Sequence, residues 1–210
     1  SRRVLLITFP QIQWTEDGVA HSARWQSERG ASPPQQVQIA DDRMNADTAY
    51  GLACQGVGLL WRGDFQNARQ LLNALGNRAD RQRREPPRHA ATSAAAATTA
   101  MPEAFHRERQ ARAQRARTLG ALLIELDADY RCALRRAPDV SIACSEALGA
   151  GQGPVVLSLR ELLGMIGAHE WRLRGIDIRA VNLRIHAHYG VFAPLRHEYV
   201  ELVAQAPLPA

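Results

Sequence analysis

The amino-acid sequence predicts an α+β fold: a helix-rich N-terminal domain with a small mixed or antiparallel sheet. Three observations lead there. Between residues 45 and 76, two stretches repeat apolar residues at helical spacing beside good capping residues. Short apolar runs, VLLITF, LLIEL and VVLSL, stand among turn-forming residues, as strands do. Helical and strand patterns interleave without any internal repeat that would signal a solenoid.

VLLITF, residues 4–9, is the first expected strand, followed by a Gln-, Ser- and Pro-rich loop to about residue 40. Asn45 or Asp47 can cap a helix that would run through DTAYGLACQGVGLLW, with Ala49, Leu52, Ala53, Val57, Leu60 and Trp61 on one side. Gly63-Asp64 makes a turn, and FQNARQLLNALGNR then reads as a second helix, with Gly76-Asn77 a natural stop. These two helices would form an antiparallel hairpin. Residues 80–102 hold Ala, Thr and Ser between proline breaks and bury too little to repay their ordering, so a flexible linker is expected.

Pro102-Glu103 opens the next helix well. Beyond it, ALLIELDADYRCALRRAP reads as two strands about an Asp127-Ala128-Asp129 turn, and PDVSIACSEALG as a short helix. A strand VVLSL leads into Ser158-Leu159-Arg160-Glu161, a capping-box pattern for a helix that stops at Gly175. The last strand is expected over about residues 181–192. The division that follows is 1–79, strand and helical hairpin; 80–102, linker; and 103–210, the α+β part.

At 210 residues the chain can bury one real core. No apolar run approaches the roughly 20 residues of a membrane helix, and the reading is a soluble, cytoplasmic protein with no membrane partner. Cys54, Cys132 and Cys144 have neither disulfide-framework nor zinc spacing and read as buried reduced thiols. The charge is concentrated. The chain contains no Lys, and residues 78–117 hold ten Arg against four acids, a net +6, while the remainder is −1. Arg107, Arg109, Arg112 and Arg115, with Arg117, could contact RNA phosphates from a helix, which would make the affinity salt-sensitive.

Other motifs carry less. Residues 149–153, GAGQG, resemble a phosphate loop, but that chemistry needs a strand before the glycines and a helix after them. Here the order is reversed, which fits a simple helix-to-strand connection. His186 and His188 would share one strand face but lack further metal ligands, and His169-Glu170 lacks the second His of a zincin. No metal site is expected, and no catalytic residue is found in this chain.

The tail RIHAHYGVFAPLRHEYVELVAQAPLP, residues 184–209, resembles the segment just upstream of the S-adenosylmethionine (SAM) binding core in bacterial class I methyltransferases of the small methyltransferase-domain type. That group includes release-factor glutamine methyltransferases and ribosomal RNA guanine-N2 methyltransferases. LLWRGDFQNARQLLNAL (59–75), LRRAPDV (134–140) and LLGMIGAHEW (162–171) look like the N-terminal region of a proteobacterial branch, so the resemblance covers most of the chain from about Val37. The family's D-x-G-x-G-x-G loop, its acidic ribose ligand and its N-P-P-Y-type motif do not occur here. The resemblance therefore implies an N-terminal substrate-recognition domain, with the SAM-binding Rossmann core and the catalytic domain beyond these residues. It implies that Tyr189, Gly190, Val191 and Phe192 match the strand before the core. Arg196, Glu198 and Tyr199 would open a helix at the edge of the parent's SAM site. The substrate stays open between RNA or the ribosome and a translation-related protein. For a protein substrate, the pair of helices over 45–76 would be the partner surface, with Trp61 an anchor if exposed, although its place in the apolar stripe favours a core position. The alternative is a free-standing RNA-binding module built on segment 78–117.

Overall fold

A computed structural model describes residues 9–84, 100–192 and 196–207. Its elements, in order, are β1 (Gln11–Glu16), β2 (Val19–Trp25), β3 (Val37–Ala40), α1 (Ala46–Cys54), β4 (Gly58–Trp61), α2 (Phe65–Arg84), α3 (Ala100–Gly120), β5 (Leu122–Leu126), α4 (Ser141–Leu148), β6 (Val155–Ser158), α5 (Leu159–Arg174), β7 (Ile176–Ile178), β8 (Leu183–Ile185) and α6 (His197–Gln205). Helices and a mixed sheet make an α+β architecture. The sheet is larger than expected, with six strands in the order β1-β2-β6-β5-β4-β3; β7 and β8 form a separate two-stranded ribbon.

Residues 10–40, expected as loop, hold three of the six strands. Along β1 burial alternates, with Ile12 and Trp14 inside and Gln11, Gln13 and Thr15 outside, the period of a half-buried strand. Asp17-Gly18 turns the chain with positive φ at both residues, 50° and 79°, and Glu16 pairs with Val19 across it. That is the two-residue Asp-Gly hairpin whose twist matches its strands.

The helical hairpin expected over 45–76 is instead helix, strand, helix. Asn45 caps α1, its side chain accepting from the N–H groups of Asp47 (3.1 Å) and Thr48 (2.8 Å). The helix ends at Cys54, and Gly56, at φ 84°, turns the chain into β4. All four β4 residues are buried, so GLLW is a central strand rather than a last helical turn. Trp61, 2% exposed, is core.

α2 continues past Gly76-Asn77 to Arg84 and α3 begins at Ala100, so both ends of the expected linker are helical. The residues between, and the strand expected over 4–9 except Phe9, lie outside the described residues. The second strand expected over residues 130–137 is a series of turns, and the strand expected over 181–192 shrinks to Leu183–Ile185. Cys144 is buried and Cys132 half-buried, but Cys54 is exposed, contrary to expectation, because it ends α1 on the surface.

Two apolar clusters occupy the two faces of the sheet. On one, Leu59, Trp61, Leu122, Ile124, Leu126, Val155 and Leu157 pack against α1, α2, α4 and α5. On the other, Leu60, Leu123 and Val156 join Ile12, Trp14, Ala23 and Trp25. Among the described residues, no helix packs on this second face. The sheet curls until its edges β1 and β3 lie in contact, and so buries the face within itself. Strands β1, β3, β4 and β5 run one way and β2 and β6 the other. The curled sheet therefore has two distinct ends.

Candidate functional site

The end where β1, β3, β4 and β5 finish is closed by charge pairs. Arg62 reaches Glu16 (2.7 Å) and Glu125 (2.8 Å) at once. Asp64, fully buried, accepts from Arg135 Nε (3.1 Å) and Arg136 Nε (2.6 Å) through Oδ2 and from the Gln66 N–H (2.8 Å) through Oδ1. Those donors, the Arg136 hydrogen bond first, hold its pKa at about 2 against burial. The glycine-rich run 149–153 also ends here. A side chain at Gly151 would sit 1.8 Å from the Ala128 carbonyl, so this glycine serves close packing.

The opposite end opens into a cleft of about 930 Å³. Its floor is set by the sheet: Trp25 ends β2, Ser158 ends β6, Gly58 begins β4 and Ala121 precedes β5. One wall is the last turns of α3 (Ala113, Gln114, Ala116, Arg117) and the end of α1 with Cys54; another is the first turns of α5 (Arg160, Glu161, Gly164). The loop after β2 supplies Glu28 and Arg29, and Tyr189 closes one side.

Hydrogen bonds hold that frame. The Trp25 indole N–H donates to the Ala31 carbonyl (2.7 Å). Ser158 caps α5 by accepting from the Glu161 N–H (3.1 Å). Glu161 does not return the bond as a capping box would. Its Oε1 accepts from Gln26 Nε2 (3.2 Å) and from the Glu28 N–H (2.9 Å), which fastens the β2 loop to α5. Burial raises the pKa of Glu161 despite those donors. The Tyr189 phenol is pushed up, first by burial and then by the charge of nearby Glu28.

Among the described residues, the cationic groups lining the cleft form no salt bridges. Among the described residues, neither Arg29 nor Arg160 has an ion pair, and Arg117 bonds the neutral Gln114 (2.7 Å). The Arg160 pKa is lowered, first by desolvation, then by Arg29 and Arg115; the opposing pull of Glu28 is the smallest of these effects. Arg160 also stands in the first turn of α5, where the helix dipole disfavours a cation.

The arginines singled out from the sequence lie mainly elsewhere. Arg112 pairs with Glu108 four residues back (2.9 Å), and Arg115 with Asp80 on α2 (2.8 Å). Arg109 is also engaged, and the Arg107 side chain lies outside the described residues. The tail residues scatter. Tyr189 lines the large cleft and, with Gly190 and Val191, a second cavity of about 200 Å³ beside Trp171 and Ile176. Phe192, Arg196, Glu198 and Tyr199 are exposed, Phe192 by 78%. His186 and His188 fall after β8 rather than on it, and His186 Nδ1 lies 2.6 Å from the Arg172 carbonyl. Arg29, Arg160 and Gly164 went unnoticed in the sequence. Only Arg160 gave a signal, as a cation where a helix start favours anions.

No protein-family model, curated protein or solved structure matches this chain.

Proposed function

We propose that these residues form the substrate-recognition domain of a SAM-dependent methyltransferase that acts on RNA or on a translation-related protein, with SAM and the chemistry outside them. The observation that carries this reading is Tyr189. It belongs to the HYGVF stretch that resembles the lead-in to a SAM-binding core, and its side chain lines the large cleft beside Glu28. The cleft is then the substrate surface, and the tail is its link to the catalytic part.

Two features of the described residues support placing SAM outside them. A dinucleotide-type site needs a glycine loop between a strand end and a helix start. Its glycine-rich run leads from α4 into β6, and Gly151 is packed against Ala128. At the centre of the sheet β5 is antiparallel to β6, unlike a parallel Rossmann sheet. These features support placing the Rossmann core elsewhere. A free-standing RNA-binding module centred on 78–117 has less support, because Arg112 and Arg115 already face carboxylates.

Calorimetry on the 210-residue chain tests the reading. SAM should give no heat of binding, and micromolar SAM binding would contradict the account. Labelled ribosomal RNA fragments should bind with a log–log salt slope of about −2 to −4, as contact with about 3–5 phosphates requires.

A further inference from the structure

The cleft at the open end of the sheet joins two chemistries. Its lining carries three exposed arginines from different elements, Arg29 on the loop after β2, Arg160 on α5 and Arg117 on α3, none of them in a salt bridge among the described residues. The floor is apolar, with Trp25, Pro34 and Val57 beside the small side chains of α3. Glu28 and Glu161 also line it: Glu161 accepts from the β2 loop, and Glu28 lies beside Tyr189 and exerts only the smallest of the effects on Arg160. Like-charged guanidinium groups gathered in one partly desolvated place repel one another unless an anion joins them. A phosphate oxygen set is such an anion, and guanidinium forks match its geometry. The volume, about 930 Å³, lies within the range of small-molecule sites.

We propose that this cleft is a nucleotide-phosphate site, in which Arg29 and Arg160 grip the phosphate, Arg117 and Gln114 offer donors from α3, and the base lies on the apolar floor by Trp25. It stands whether or not the protein belongs to a methyltransferase. The phosphate can belong to a free nucleotide or to one residue of a single RNA strand.

Cys54 gives a direct readout. It lines the cleft and is exposed, whereas burial raises the thiol pKa values of Cys132 and Cys144, the latter to about 12. Iodoacetamide should therefore alkylate Cys54 first. Two probes are used, adenosine 5′-monophosphate and a ten-residue polyuridine RNA. Two variants remove the site in different ways. Arg29→Ala with Arg160→Ala deletes the phosphate grip at two exposed positions. Gly164→Leu fills the cleft, because a side chain at Gly164 meets nothing within 4 Å. Arg43→Ala, paired with Asp41 at the other end, is the control.

The expected result is that at least one probe slows alkylation of Cys54. The concentration needed should rise about tenfold per arginine removed. Protection should be lost in Gly164→Leu and kept in Arg43→Ala. Protection by the mononucleotide identifies a free nucleotide as sufficient; protection by RNA alone identifies the strand. Protection by neither probe, or protection unchanged in both site variants, overturns the proposal.

Discussion

Arg62, Arg135 and Arg136 stand where β3, β4 and β5 finish, and each meets a carboxylate: Glu16 and Glu125 for the first, Asp64 for the other two. Arg29 and Arg160 stand at the opposite end of the same sheet and meet no carboxylate among the described residues; Arg160 is instead affected by Arg29. The two ends use one residue type for two purposes. At the closed end, arginines neutralise carboxylates, one of which, Asp64, is fully buried at the start of α2. At the open end, guanidinium groups are left over and a cleft is left empty of side chains, with Gly164 facing free space. Stability and binding are thereby separated by the length of a strand.

The largest expected effect is at Asp64. Asp64→Ala removes the acceptor for two arginines and the cap of α2 together, and should lower the melting temperature by about 10 °C. Arg29→Ala with Arg160→Ala should not lower it, since the pair repel each other and Arg160 opposes the helix dipole. Equal losses at both ends would erase the distinction.

Acid should act at the closed end first. The Asp64 pKa falls from the ordinary 3.8 to about 2 on folding. A carboxylate with a depressed folded value adds stability that is fully present above about pH 4 and is lost as pH drops toward 2. Unfolding followed by circular dichroism should therefore steepen in that window in the parent chain and less so in Asp64→Asn.

Arg62→Met is expected to cost about 1 kcal/mol in urea denaturation, since its partners are part-exposed and remain solvated. The smallest effect has the opposite sign. Gly164→Ala lies inside α5 with open space at its side-chain position, and should add about 0.5–1 kcal/mol. A loss there would mean that the cleft wall is tighter than described.

Local signals were readable from the sequence and non-local ones were not. Asn45 and Ser158 marked helix starts and Gly175 a helix end, because caps act within one turn. LLIEL and VVLS were readable as buried strands from their unbroken apolar runs. β4 was hidden because Val57, Leu60 and Trp61 happen to continue the spacing of α1, although Gly56 breaks it. The β1–β2 hairpin was missed despite Asp17-Gly18, since most of its exposed positions, Gln11, Gln13, Thr15, His21 and Ser22, are polar. The cleft could not be read at all. Its residues 29, 117 and 160 come together only when β2, α3 and α5 reach one end of the sheet. The +6 segment drew attention instead, but the fold gives Arg112 and Arg115 to Glu108 and Asp80.

The most direct test of the contrast between the ends is a thermal-shift titration with sodium pyrophosphate at constant ionic strength. Binding to the folded chain raises the melting temperature with ligand concentration. The account predicts a rise in the parent chain and in Arg43→Ala, and none in Arg29→Ala with Arg160→Ala. A rise of equal size in the double variant, or no rise in the parent, would contradict it.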